Sequence, residues 1–250
     1  MNDEAFFELC KTGTAQEVEN AIKAGADVNA KDMEDNTALM IAALENTNPE
    51  VIAALIKNGA NINGRKPNGA TALTRAARNN DNPDVVNALI KNGADVNKAI
   101  DSDGWTPLMV AARNNNNPEI ITMLIKNGAD VNATKSDGWT SLMLAAGYNK
   151  PEIVTALINN RANVNATNPN GFTALMIAAN FNNNPEIINV LAKNGTDVNA
   201  KEEDEMTALS FAAYNNSNPD VITALINNGA NVNARMSNTN ATALFFAARN

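Results

Sequence analysis

Side chains able to carry out acid–base or nucleophilic chemistry are scarce in this chain of 250 residues. It has no histidine, which excludes Ser-His-Asp and Cys-His catalytic arrangements and any histidine-based zinc site. Its one cysteine, Cys10, cannot form an internal disulfide or a cysteine metal cluster, and we interpret it as a small apolar helix residue. No glycine-rich loop carries the Lys-Ser or Lys-Thr pair that binds phosphate. The sequence therefore predicts no catalytic residue, no cofactor and no metal.

The densest group of carboxylates is the acidic run at positions 202–205, Glu-Glu-Asp-Glu. Such a group could hold a cation, but its place in a predicted turn favours a solvated loop. Acid–base catalysis also needs an acid in an apolar pocket, and the sequence offers no evident pair of that kind. We therefore expect a protein that is not an enzyme.

The overall composition predicts a core of small aliphatic side chains. Hydrophobic residues make up 44% of the chain and aromatic residues only 4%, so Ala, Leu, Ile and Val must carry the packing. The net charge of −8 disfavours polyanions, so we expect no nucleic acid partner. No segment resembles a transmembrane helix or a signal peptide. We therefore expect no membrane association and favour a cytoplasmic location.

Two phrases recur along the chain in register. Thr-Ala-Leu-x-x-Ala-Ala, or a close variant, begins at threonines spaced 34, 35, 34, 33, 34 and 35 residues apart: Thr37, Thr71, Thr106, Thr140, Thr173, Thr207 and Thr242. Asn-Gly-Ala-Asp-Val-Asn or a variant follows most of them, at Gly59, Gly93, Gly128, Gly195 and Gly229. This period predicts a stack of similar units, each of which buries its apolar face against its neighbours.

One repeat, beginning at Asp101, illustrates the expected local structure. Asp103-Gly104 is a turn dipeptide, and Thr106 caps a short helix that begins with proline. Asn117-Pro118 then starts a second helix, whose apolar stripe has helical spacing. Gly128 ends that helix in the left-handed conformation. We interpret the abundant asparagines as residues of turns and caps.

These segments resemble the ankyrin repeat family, notably DGWTPLMVAA at 103–112 and EIITMLIKNGADVNA at 119–133. The resemblance extends over nearly the whole chain. It implies an all-α solenoid of stacked ankyrin-type helix-turn-helix repeats with short β-hairpin connections. We expect one domain at 1–250, with an N-terminal capping unit at 1–31, six full repeats at 32–234 and a truncated half repeat at 235–250.

The chain departs from the family pattern at two kinds of position. The family usually has histidine after Thr-Pro-Leu, whereas this chain mostly has methionine, so we expect apolar packing in place of a histidine hydrogen-bond ladder. Arg161 stands where other repeats have the helix-ending glycine, which predicts mild backbone strain.

Residues that vary while the scaffold repeats are the candidate partner-binding residues. One set precedes the anchor threonine at the hairpin tip, and the other follows the Ala-Ala pair. Family resemblance places them on the hairpin tips and the concave helix face, where ankyrin-like proteins bind partners. The candidates are Trp105, Trp139, Phe172, Met206, Arg78, Arg113, Tyr148, Phe181 and Tyr214. Alternatively, Trp105, Trp139 and Phe172 stack on one another and only stiffen the hairpin row.

The leading functional hypothesis is a non-catalytic scaffold that binds a protein or peptide. The alternative is a structural spacer or repeat segment of a larger protein whose activity lies elsewhere. We also expect self-association through an uncapped C-terminal edge, because the last unit stops after its first helix. That edge would expose Leu244, Phe245 and Phe246, together with part of Leu225 and Ile226.

Overall fold

The computed structural model describes residues 2–237 and 239–248. The chain forms two compact units, an N-terminal unit that runs to Asp130 and a C-terminal unit that begins at Val131. In each unit, short helices pair through tight turns, and the first and second helices of one pair pack on those of the next pair.

The helices follow the repeat pattern of the sequence. In the N-terminal unit they are α1 (Asp3–Thr12), α2 (Ala15–Lys23), α3 (Ala38–Glu45), α4 (Pro49–Lys57), α5 (Ala72–Asn79), α6 (Pro83–Lys91), α7 (Pro107–Asn114) and α8 (Pro118–Lys126). In the C-terminal unit they are α9 (Ser141–Tyr148), α10 (Pro151–Asn159), α11 (Ala174–Phe181), α12 (Pro185–Lys193), α13 (Ala208–Asn215), α14 (Pro219–Asn227) and α15 (Ala243–Ala247). Odd-numbered helices are the first helices of their repeats, and even-numbered helices are the second.

The connections between repeats are turns with very little strand. Isolated antiparallel bridges join Lys31 to Thr37, Thr134 to Thr140 and Thr167 to Thr173. The predicted all-α class and the stacked helix pairs are therefore confirmed, with hairpin connections reduced to their turns.

The predicted caps define where the helices begin. The Thr37 hydroxyl accepts a hydrogen bond from the Met40 backbone N–H at 3.3 Å. The Asn48 side chain accepts one from the Glu50 N–H at 2.9 Å, and Pro49 occupies the first helical position. At α10 the cap residue is Lys150, which makes no side-chain cap hydrogen bond.

The core lies between the helices and is aliphatic. The position that the family gives to histidine is buried in the six full repeats, and four of them fill it with methionine, as expected: Met40, Met109, Met143 and Met176. Where Thr74 takes this position, its hydroxyl donates a hydrogen bond to the Thr71 carbonyl at 3.0 Å. At the position that the family gives to histidine, apolar packing thus replaces a hydrogen-bond ladder between repeats.

A ladder does exist, and it is made by asparagines at the ends of the first helices. The buried Asn80 donates from Nδ2 to the carbonyls of Ala43 and Asn46 in the preceding repeat, both at 3.0 Å. Its Oδ1 accepts the Asn82 N–H at 2.9 Å. The equivalent residues make the same set of contacts: Asn46, Asn115, Asn182 and Asn216.

A second asparagine ladder runs through the turns after the second helices. Asn97 donates from Nδ2 to the Gly128 carbonyl at 2.9 Å and accepts the Asp130 N–H at 3.0 Å. Asn29, Asn132, Asn165 and Asn199 bond in the same way. Interpreting asparagine only as a turn and cap residue was therefore incomplete, because these amides join successive repeats.

The ends of the second helices have the left-handed conformation that the sequence predicts. Gly93 and Gly128 have φ of 98° and 95°. Arg161 takes the same place with φ of 71°, so a side chain with a Cβ atom is held where glycine is preferred.

Replacing Asn80 with alanine should lower the free energy of unfolding by at least about 2 kcal/mol, since each buried polar group left unsatisfied costs about 1–3 kcal/mol. Urea unfolding measures the loss. The matched control is Asn79→Ala at the exposed neighbouring position, which should change stability by less than about 0.5 kcal/mol. Equal effects of the two substitutions would contradict the role given to the ladder.

Replacing Arg161 with glycine should stabilise the chain by about 1 kcal/mol, because the left-handed conformation then carries no Cβ penalty. The unfolding midpoint in denaturant measures this. Gly128→Ala is the reverse control and should destabilise. An unchanged or lower midpoint for Arg161→Gly would show that the arginine is not strained.

Candidate partner-binding surface

In the N-terminal unit, Trp105 and Arg113 form a pair within one repeat. Trp105 is partly buried at the turn before α7, and Arg113 is exposed near the end of that helix. The Arg113 guanidinium carbon lies 5.7 Å from the Trp105 ring centroid, which is within cation–π distance. The turn-tip position and the position after Ala-Ala are therefore neighbours in space.

A groove of about 280 Å³ lies beside Arg78 in the same unit. Arg75 also lines it, with Leu44, Ala70 and Val110 as apolar neighbours. Among the described residues, the buried Nε of Arg75 has no hydrogen-bond partner.

Arg75 was not among the predicted site residues, although the sequence carried a signal for it. The second variable position of Thr-Ala-Leu-x-x-Ala-Ala is apolar in the other repeats, as at Ile41, Val110 and Ile177. An arginine at this otherwise apolar position could have been singled out.

In the C-terminal unit, three predicted residues form a stack. The Trp139 and Tyr148 ring centroids are 6.5 Å apart at an interplanar angle of 20°. Tyr148 then stacks on Phe181 of the next first helix at 5.8 Å and 25°. Such offset arrangements stabilise aromatic pairs and restrict their rotamers. We call Tyr148, Phe181 and Tyr214 the aromatic row, because they lie at the ends of α9, α11 and α13 and are exposed by 44%, 51% and 54%.

Phe172 and Met206 differ from the aromatic row in their surroundings. Both are partly buried at turn tips. The Phe172 ring lies 5.2 Å from that of Phe211 in the next first helix. Trp139 and Phe172 therefore each pack against a residue of a first helix. This arrangement differs from the alternative hypothesis, in which the aromatic residues of successive turn tips stack on one another.

The turn that carries Trp139 is held by a charged pair. Lys135 Nζ lies 2.9 Å from Asp137, whose other oxygen accepts the Trp139 N–H at 3.3 Å. Burial alone would raise the pKa of Asp137, but hydrogen bonds from Lys135 and Trp139 outweigh it and lower that pKa. The ionised form thus stabilises the turn above the unfolded pKa, and this contribution is lost as pH falls through the folded pKa.

The acidic run at 202–205 is partly structural. Glu202 is buried, and its Oε1 accepts the N–H groups of Asp204 and Met206 at 3.0 Å and 2.9 Å. Glu203 is exposed, and Glu205 pairs with Lys201 at 3.1 Å. In the part of the chain that the structure describes, no group of three or more acidic or cysteine side chains is arranged to hold a metal ion.

Cys10 lies in the core of the N-terminal unit. Burial raises the pKa of its thiol to about 12, so the thiolate that would react is not formed near neutral pH. This supports its interpretation as a packing residue. Over residues 2–237 and 239–248, every helix is too short or too polar to cross a membrane.

The C-terminal edge matches the sequence prediction except at Leu225 and Phe246. Leu244, Phe245 and Ile226 are exposed, as expected. Leu225, however, is fully buried, because it belongs to the inward-facing stripe of α14. Phe246 is partly buried and lies edge-on to Tyr214 at 5.3 Å.

Capped helix pairs joined by side-chain ladders, with variable residues at their turns and helix ends, define a repeat scaffold with an extended variable surface. The sequence matches the family model of ankyrin repeats (3 copies) at residues 6–100, 64–135, 108–202 and 175–250. The chain therefore belongs to the ankyrin repeat family.

The comparison of structures agrees with this assignment. The crystal structure of the human ASB11 ankyrin repeat domain is similar, with a TM-score of 0.76 and 25% sequence identity over 89% of this chain and 96% of that one. No curated protein in the comparison matches the sequence. Ankyrin repeats are generally protein–protein interaction modules, and their fold is typically non-catalytic.

Proposed function

We propose that this chain is a non-catalytic scaffold that binds a protein or peptide through its turn tips and first-helix ends. The observation that carries the proposal is the aromatic row, in which large rings are about half exposed on the first helices of three successive repeats. Isolated exposed apolar residues are common, but large exposed rings near the first-helix ends of successive repeats favour an interaction surface. Tyrosine and tryptophan are also enriched among the residues that dominate binding energy.

The stacking within the C-terminal unit supports this role because it fixes the rings before a partner arrives. Tyr148 is held between the Trp139 and Phe181 rings, at 6.5 Å and 5.8 Å. Side chains that are already ordered lose little rotamer freedom on binding, so more of their burial appears as affinity.

The arginines of the N-terminal unit supply a complementary charge. The chain as a whole carries −8, yet Arg75 and Arg78 line one groove. Guanidinium groups bind carboxylates in a bidentate manner, so we propose that acidic side chains of the partner lie here. Arg113, held over Trp105 at 5.7 Å, would add a third contact on the same unit.

The C-terminal edge is a second proposed interaction surface. Leu244 and Ile226 are exposed and line one apolar groove, and Phe245 is exposed as well. Exposed apolar surface tends to associate with another surface. We propose that the chain alone self-associates weakly through this edge.

Combined replacement of the aromatic row by alanine, Tyr148→Ala/Phe181→Ala/Tyr214→Ala, should weaken partner binding by more than about 2 kcal/mol, as loss of interface hot spots does. Partners are captured from a lysate of the source organism and then titrated by calorimetry against both forms. Met33→Ala is the matched control, since Met33 is fully exposed in the N-terminal unit. Unchanged affinity with a large fall in the unfolding midpoint would show that the row is structural.

Self-association should appear as a rise in average mass in light scattering over a concentration series. Leu244→Glu should abolish the rise, because it places a charge on the apolar edge. A strict monomer, with α15 as protected from hydrogen exchange as α11, would exclude this proposal.

A further inference from the structure

Arg75 lies between two grooves on the first helices of the N-terminal unit. One is the groove of about 280 Å³ that it lines together with Arg78, which we call the arginine groove. The other has a volume of about 600 Å³ and lies among α1, α3 and the turn that precedes α3. Because the Arg75 side chain lines both, the two grooves adjoin there.

Carboxylates predominate in the larger groove, which we call the acidic groove. Six of them line it, among them Glu4, Asp32 and Glu45, against three cationic side chains. The pKa of Lys11 is raised there, mainly by its hydrogen bond to Glu8 and further by the charges of Glu8, Glu45 and Asp32. The groove thus already stabilises one positive charge.

Some of these carboxylates belong to the fold, and others are available to a partner. Asp32 Oδ1 accepts the Asn36 N–H at 2.8 Å, so this carboxylate holds its own turn. Glu4 and Glu45 are exposed and make no ion pair with any residue that the structure describes. They are therefore free to bind a cation that enters the groove.

Arg75 occupies a position that is apolar and buried in neighbouring repeats, as at Ile41 and Val110. Its Nε is buried without a hydrogen-bond partner among the described residues, and its guanidinium pairs with none of the described carboxylates. A buried donor without an acceptor lowers stability. A ligand that brings an oxygen atom to this point would remove that cost.

The sign of the exposed charge changes between α3 and α5. Glu45 at the end of α3 and Arg78 near the end of α5 are both exposed, and the two helices pack on each other. Packed helices lie about 8–10 Å apart. An extended chain advances roughly 6.6 Å in two residues, and side chains two positions apart point to the same side. Two long side chains at that spacing can therefore reach both helices.

We infer that the two grooves together are a docking site for an extended partner segment with a basic and an acidic side chain two positions apart. The basic side chain lies in the acidic groove beside Glu45, and the acidic side chain binds Arg75 and Arg78. A wholly acidic or wholly basic segment would bring one of its charges against a groove of the same sign. This inference rests on the proposed binding function and deepens it, because it names the charge pattern of the partner.

The test uses the whole chain and a labelled synthetic peptide, acetylated and amidated, with the sequence Gly-Ser-Arg-Thr-Glu-Ser-Gly. Fluorescence anisotropy at low ionic strength should show saturable binding of one peptide per chain, and added salt should weaken it because exposed charges are screened. Control peptides carry Arg-Thr-Arg or Glu-Thr-Glu at the centre. Both should bind at least about tenfold more weakly than the parent, since one charge is then repelled.

Charge reversal in the protein should reverse the preference among the peptides. Arg78→Glu should weaken binding of the parent at least about tenfold and strengthen binding of the Arg-Thr-Arg peptide. Glu45→Arg should weaken binding of the parent and strengthen binding of the Glu-Thr-Glu peptide. Lys91→Glu is the matched control, because Lys91 is exposed at the end of α6 and lines neither groove.

Arg75→Ile tests the buried guanidinium without disturbing the fold, since isoleucine occupies this position in α3. The variant should have a higher midpoint of urea unfolding, because an unpartnered buried donor is removed, and yet bind the parent peptide at least about tenfold more weakly. In the unchanged protein, the Nε–H proton resonance of Arg75 should move downfield on addition of the peptide. An arginine with a purely structural role would show no such shift.

Three results would overturn the inference: no saturable binding, equal binding of the three peptides, or equal effects of Arg78→Glu and Lys91→Glu. Alanine replacement of the aromatic row should leave affinity for the peptide unchanged. A captured partner that requires the aromatic row but is insensitive to Arg78→Glu and Glu45→Arg would refute this inference and leave the scaffold function standing.

Discussion

The stacking of the repeats depends on buried asparagine side chains, each of which lies between its own repeat and the repeat before. The end of a helix leaves carbonyls without an intrahelical partner, and in a stack some of them are shielded from water. Asn80 satisfies two such carbonyls with one amide group and uses its oxygen for the N–H of Asn82. A single buried side chain therefore completes the turn of its own repeat and fixes the spacing to the preceding repeat, so local and inter-repeat structure form together.

Because a fixed set of residues in each repeat holds the fold, the other positions are free to vary. The ladder asparagines, the capping threonines and the buried leucines hold the helices, so turn tips and first-helix ends can carry arginine, tyrosine or tryptophan without loss of the fold. The aromatic row and the groove beside Arg78 occupy such positions. Some variable positions also contact the next repeat. Phe172, for example, packs against Phe211 of the next first helix and is therefore only partly exposed.

The same dependence on neighbours governs the C-terminal edge. In a repeat stack each interface is nearly identical to the last, and each repeat contacts only those next to it. Leu244 has the same sequence context as Leu209 but is far more exposed, and Leu209 lies in a helix that packs on α11, α14 and α15.

The sequence by itself determined the repeat period, the ankyrin fold, the helix boundaries and the left-handed backbone at Arg161. The period and the fold follow from phrases that recur every 33 to 35 residues. The helix boundaries and the left-handed turn depend on residues within about four positions of one another, through caps, turns and apolar stripes. Only the tertiary structure decided that ladder asparagines bind the preceding repeat, that Arg75 joins Arg78 in a groove, and that Leu225 is buried beside an exposed Ile226. These outcomes join residues about one repeat apart, and the contacts of a side chain at that range are set by how the helices pack, which a single repeat does not encode.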